Sequence, residues 1–171
     1  MFQNLFAHFS PNSKVWIYQS NIEFSPKILP DLETELSLFV NNWTAHNQAL
    51  LAGFDIRYSR FIILMVDENK SKASGCSIDS SVHFLQKIES LYGLTLFDRM
   101  LFCFEKEGKI YCRSKKEFET LLHEGKINRE TLVFNNLVKN KLELENDWRI
   151  PLKDSWMADY FSKPIKKETW S

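Results

Sequence analysis

The sequence predicts an α+β fold, a mixed sheet covered by helices in the order β-α-β-α-β-β-α-β-α. Three observations carry this expectation. Leu32, Leu36, Phe39, Val40 and Trp43 recur at helical spacing. The run Phe61-Ile62-Ile63-Leu64-Met65-Val66 has no polar alternation, as a strand covered on both faces requires. Two short apolar runs flank Glu105-Lys106-Glu107-Gly108-Lys109, the pattern of a hairpin.

Val15-Trp16-Ile17-Tyr18 reads as the first strand, closed by Gln19-Ser20-Asn21. Phe24-Ser25-Pro26 and Pro30 lead into the first helix. Continued to Leu51, with Gly53 as its stop, that helix places His46 and Leu50 on the buried stripe. Residues 54–66 read as one long strand. A helix over about 79–92 follows, with Ser81, Phe84, Leu85, Ile88, Leu91 and Tyr92 on one arc and His83 at its exposed edge. Strands at 100–104 and 110–112 form the hairpin. Ser114-Lys115-Lys116-Glu117 has capping-box spacing and starts a helix ended by Gly125. Residues 131–134 form a last strand and 137–148 a helix, although Leu142-Glu143-Leu144-Glu145 also fits a strand. Two successive crossovers would set the first three strands parallel, with the hairpin as an antiparallel edge.

The 171 residues fit a single domain over 1–161, with a possible sub-module at 100–152 and a flexible tail at 162–171. Lys plus Arg and Asp plus Glu are equal at 22 each, so no net field draws the chain to nucleic acid or to an anionic membrane. Three cysteines argue against a disulfide framework. The start Met1-Phe2-Gln3-Asn4-Leu5-Phe6 lacks the basic flank and apolar region of a signal peptide, so a reducing, cytoplasmic setting is expected. No apolar run nears the roughly 20 residues of a membrane span. Phe2, Leu5, Phe6 and Phe9 are positioned to pack on the domain or on a second subunit.

The chemistry-bearing residues gather between the apolar strand and the helix after it. Arg60 approaches the strand, Asp67 ends it, and Ser74-Gly75-Cys76-Ser77 opens the helix, where free N–H groups can hold an anion or stabilise a thiolate. In a catalytic reading Cys76 is the nucleophile, His46 its base, and Asp67 or Asp79 the orienting acid. In a structural reading Cys76 fills a small buried site, Asp79 or Ser77 caps the helix, and His46 is a core histidine. Arg57 and Arg60 suit a carboxylate ligand or buried ion pairs. A hairpin turning at Glu107-Gly108 sets Cys103 opposite Cys112. In a reducing cytoplasm these serve as small apolar side chains, joined only under oxidative stress. His8, His46, His83 and His123 form no close ligand pairs with the cysteines, so neither metal nor cofactor is expected. Phosphate-loop, Gly-x-Gly-x-x-Gly and Gly-x-Ser-x-Gly motifs are absent from the sequence.

Several segments resemble a family of short bacterial proteins often labelled "ABC transporter ATPase". They are Ser13-Lys14-Val15-Trp16-Ile17-Tyr18-Gln19-Ser20-Asn21, Trp43-Thr44-Ala45-His46, Arg60 through Glu68, Ser74 through Asp79, Phe97-Asp98-Arg99, Val133-Phe134-Asn135-Asn136 and Pro151 through Trp156. The label implies ATP hydrolysis, but this chain lacks the phosphate loop that such chemistry needs, and no catalytic residue is carried over. The second resemblance covers residues 107–152. Its hairpin strand, capped helix, Gly125-Lys126-Ile127, Glu130-Thr131-Leu132-Val133-Phe134 and Trp148-Arg149-Ile150-Pro151 are similar to GYF-like modules, which bind proline-rich peptides. This resemblance implies a ligand role for Phe134, which stands where those modules usually have Trp. Cys112-Arg113-Ser114 replaces their usual Gly-Pro.

The resulting expectation is a ligand- or protein-binding regulatory module whose partner is a small molecule, protein or peptide. The alternative is a cysteine-dependent enzyme built on Cys76.

Overall fold

The computed structural model describes residues 6–162. The expectations for Phe2, for Leu5 and for the tail beyond Ser162 lie outside them. The fold is α+β, and its sheets are antiparallel rather than mixed. The chain divides into two compact units. One runs up to Arg99 and includes Asn136–Asp147; the other comprises Met100–Asn135 and the segment from Trp148 onward. Within the stretch 100–152 expected as a sub-module, residues 100–135 and 148–152 lie in the second unit and 136–147 in the first.

In the first unit, β1 (Lys14–Gln19) is followed by α1 (Leu29–Asn42), the short strands β2 (Thr44–Ala45) and β3 (Gln48–Ala49), then β4 (Leu51–Arg57), β5 (Phe61–Asp67) and α2 (Gly75–Tyr92). The main sheet has the order β1-β5-β4, with both pairings antiparallel. The single strand expected at 54–66 is in fact a hairpin. Tyr58 and Ser59 turn the chain with φ of 55° and 49°, and the Arg60 N–H bonds back to the Arg57 carbonyl at 3.1 Å. That turn removes the crossover on which parallel strands depended.

The helix expected to reach Leu51 stops at Asn42, because Trp43 is extended (ψ 124°) and the chain enters a second tight hairpin through His46 and Asn47 (φ 51° and 63°). The stripe on α1 is therefore Leu32, Leu36 and Val40, with Pro30 in its first turn.

Register explains the core. Ile62, Leu64 and Val66 face the helices beside Trp16 and Tyr18 of β1 and Ala52, Phe54 and Ile56 of β4. Leu85 and Ile88 of α2 close the layer, and Phe39 stacks on Phe84 with ring centroids 4.4 Å apart. Phe61, Ile63 and Met65 point to the opposite face and are also fully buried, so β5 is apolar throughout for a structural reason. On that second face Phe6 and Phe9 lie over Gly53. A Cβ built there would stand 3.0 Å from the Phe9 ring and 3.4 Å from the Phe6 ring. The described part of the N-terminal segment thus packs on its own unit.

The segment 136–147 carries α4 (Lys141–Asp147), a shorter helix than the 137–148 expected. Its approach lies along β1: Val15 N–H bonds to the Lys139 carbonyl (3.1 Å) and Lys141 N–H to the Ser13 carbonyl (2.9 Å).

The second unit holds β6 (Leu101–Lys106), β7 (Lys109–Ser114), α3 (Lys115–His123), β8 (Leu132–Phe134), β9 (Arg149–Pro151), a 3₁₀ turn at Leu152–Asp154 and α5 (Met157–Ser162). The sheet order is β7-β6-β8-β9, antiparallel throughout. The hairpin turns at Glu107 and Gly108, both at positive φ, as read from the sequence. The Ser114/Glu117 capping box is present and starts α3. Phe118 of α3 packs on Phe102 and Phe104, joined by Ile127, Val133, Leu152 and Met157.

Candidate functional site

Asp67 ends β5 and is 5% exposed. Its carboxylate accepts hydrogen bonds from the Ser10 N–H (3.0 Å), the Ser10 hydroxyl (3.4 Å) and the Asn69 N–H (3.1 Å). The Ser10 backbone bond, helped by Asn69, the Ser10 hydroxyl and the Lys141 charge, holds its pKa below the ordinary carboxylate range against the opposing effect of burial. Glu68 accepts from the Ala73 N–H (2.9 Å) and pairs with Lys14 (3.2 Å). The acidic loop is therefore a folded bracket whose oxygens are already engaged. Asp67 is buried, and its hydrogen bonds run to Ser10 and Asn69 rather than to a histidine.

Arg60, expected to approach a ligand, directs Nη1 to the carbonyls of Ser20 (3.3 Å) and Asn21 (3.2 Å), and Arg57 pairs with Asp55 at 2.8 Å. The expected ion-pair alternative thus describes Arg57, whereas Arg60 ties the loop after β1 to the β4–β5 turn.

Helix α2 begins four residues earlier than expected, which puts Cys76 inside its first turn. Ser74 is the cap: its hydroxyl accepts from the Ser77 N–H (3.1 Å), while the Ser77 hydroxyl accepts from the Ser74 N–H (2.7 Å). Two free N–H groups are satisfied reciprocally, and neither Asp79 nor Ser77 serves as the N-cap. Cys76 is exposed and free, so it fills no buried site. Gly75 is also exposed, and a Cβ there would meet no atom within 4 Å. Asp79 lies on the exposed side of the helix.

His46 is neither helical nor buried; it occupies the exposed turn of the β2–β3 hairpin. That hairpin nevertheless adjoins the start of α2. The indole N–H of Trp43 donates to the Ser77 carbonyl (2.8 Å), and the Ser71 hydroxyl donates to the Gln48 side chain (3.2 Å). The elements bearing His46 and Cys76 are thus neighbours at one end of the first unit, while no hydrogen bond links the two side chains.

Below this end, Tyr18 packs edge-on against Phe97 and its pKa is raised by burial, opposed by a hydrogen bond with Ser81. Phe134, the expected peptide contact, is 2% exposed and packs on Trp148 with centroids 5.1 Å apart. It is buried against Trp148 rather than set on an open surface.

Sequence reasoning gave no role to the exposed aromatics of the second unit. Trp156 is 42% exposed, beside the partly exposed Tyr160 (5.7 Å) and the buried Phe102 (6.3 Å). Lys115 Nζ stands 4.8 Å from the centre of the Tyr160 ring. Trp156 belongs to the segment that carried the first resemblance, but α5, which brings Tyr160 next to it, left no clear periodic signal.

Among the described residues no three His, Cys, Asp or Glu side chains are grouped to hold a metal ion, and no helix is long and apolar enough to cross a membrane. No protein-family model, curated protein or solved structure matches this chain.

Proposed function

We propose that the chain is a ligand- or protein-binding module, with the aromatic surface of Trp156, Tyr160 and Lys115 as its contact for a peptide. The observation that carries this reading is the exposure of Trp156 beside Tyr160. Large rigid rings with a polar tip supply contact area at low entropic cost, and a neighbouring cation orients carbonyl-rich or aromatic partners. The test is fluorescence anisotropy of labelled proline-rich peptides titrated with the full chain. Saturable binding that disappears in Trp156→Ala, with an unchanged melting temperature, supports the reading. No saturable binding to the parent chain removes the peptide ligand.

A second reading, a cysteine-dependent enzyme, is favoured by one observation: Cys76 is exposed in the first turn of an 18-residue helix, next to the hairpin that carries His46. Its test is the rate of Cys76 alkylation against pH, in the parent and in His46→Ala. A rapid reaction slowed by the histidine change supports it. A slow reaction indifferent to His46 sinks it.

A further inference from the structure

Cys103 and Cys112 are register partners on β6 and β7, with Cα atoms 4.0 Å apart and their sulfurs joined as a disulfide. Counting from the two-residue turn, Lys106–Lys109 and Phe104–Tyr111 are the hydrogen-bonded pairs of the ladder. Cys103–Cys112 then falls at a non-hydrogen-bonded position, where facing side chains approach most closely. Phe102 and Phe104 point into the aromatic core, so strand alternation places both cysteines on the other face of the sheet. Cys103 is 2% exposed, whereas Cys112 is partly exposed and lies on a strand that, among the described residues, stands at the edge of the sheet beside β6.

We propose that Cys103–Cys112 is a redox-responsive clip on this hairpin, exchanging with low-molecular-weight thiols and disulfides of the glutathione type through Cys112. In reduction, a glutathione thiolate attacks Cys112 Sγ, the Sγ–Sγ bond breaks, and Cys103 leaves as a thiolate that takes a proton from water. A second glutathione thiolate attacks the glutathione sulfur of the mixed disulfide and releases Cys112, which is protonated in turn. One protein disulfide and two glutathione thiols thus become two protein thiols and one glutathione disulfide, a transfer of two electrons. Oxidation runs the same steps in reverse. The register survives in both states because the turn and the ladder set it. What changes is the tether on the edge strand, and with it the ease of local opening.

The experiment uses the full chain with the exposed third thiol removed by Cys76→Ser. The protein is equilibrated across ratios of reduced to oxidised glutathione, acid-quenched, alkylated and weighed intact. The expected result is a single two-electron transition between dithiol and disulfide. Amide exchange over residues 109–114 is expected to be several-fold faster in the dithiol form, and the melting temperature lower by several degrees. Cys103→Ser is expected to accumulate a glutathione adduct on Cys112, and the Cys103→Ala, Cys112→Ala double variant to reproduce the exchange rates of the dithiol form. The proposal is overturned if the dithiol persists in excess oxidised glutathione. It is equally overturned if the folded protein keeps its disulfide in excess reduced dithiothreitol, or if both forms exchange at the same rate.

Discussion

The indole N–H of Trp43 donates to the Ser77 carbonyl across 2.8 Å of buried space, so the residue that ends α1 also fixes the first turn of α2. The Ser80 hydroxyl donates to the same carbonyl at 3.0 Å, and the Trp43 ring packs on Trp16 and Phe39. A buried aromatic thus helps hold the exposed end of the first unit, alongside the Ser71–Gln48 bond at its surface.

Trp43→Phe keeps an aromatic ring and deletes the donor. The expected loss is about 2 kcal/mol, from the missing hydrogen bond and the smaller ring. It is read as a lower urea midpoint at unchanged slope, with amide exchange at Ser77 and Ile78 faster because the first turn of α2 opens more often. An exchange rate equal to that of the parent would show that Trp43 does not fix that turn.

Asp67→Asn removes the charge that Ser10 and Asn69 stabilise, and is expected to cost about 1–2 kcal/mol at neutral pH. Because the folded-state pKa is lowered, the carboxylate's contribution is complete above the unfolded-state value. It is lost as pH falls through the ordinary aspartate range toward the lower folded value. The gap between parent and variant therefore closes in acid. Urea midpoints at neutral and acidic pH measure it, and a gap independent of pH rejects this role.

Gly53→Ala places a methyl group 3.0 Å from the Phe9 ring. The expected loss is about 1 kcal/mol, since the ring must shift within a packed surface. The penalty should vanish in a Phe9→Ala background, where only the ordinary 3.4 Å contact with Phe6 remains. A double-mutant cycle with no coupling would show that the N-terminal segment does not rest on Gly53 in solution.

Phe134→Ala is expected to cost about 3–4 kcal/mol, because it leaves a cavity beside Trp148. Trp156→Ala is expected to change stability by less than about 1 kcal/mol. Calorimetry of both variants checks this contrast. A near-neutral Phe134→Ala would reopen Phe134 as a surface residue.

Local chemistry made part of this molecule legible in its sequence. The Ser114/Glu117 box, the Glu107-Gly108 turn, the buried run of β5 and the α1 stripe each depend on residues a few positions apart. So does the pairing of Cys103 with Cys112, once that turn is placed. What sequence reasoning missed were two turns made without glycine. Tyr58-Ser59 and His46-Asn47 adopt left-handed conformations that cost an ordinary residue roughly 1–2 kcal/mol, and neither carries a strong turn signature. Only long-range packing can offset that strain. The β4–β5 hairpin is held by antiparallel pairing on the buried β5, and its turn by the Ser20 and Phe24 N–H groups on the Arg60 and Ser59 carbonyls.

Those two turns decided the rest. They made the sheet antiparallel and moved His46 from a presumed buried stripe to an exposed tip. The tertiary structure also engaged Asp67 with Ser10, 57 residues away in the chain, and returned residues 136–147 to the first unit. Sequence by itself determined where apolar surface must be buried, where α3 is capped and where the Glu107-Gly108 turn falls. Which strands pair, and which polar groups are left free for chemistry, depended on contacts between distant residues whose energies no short window contains.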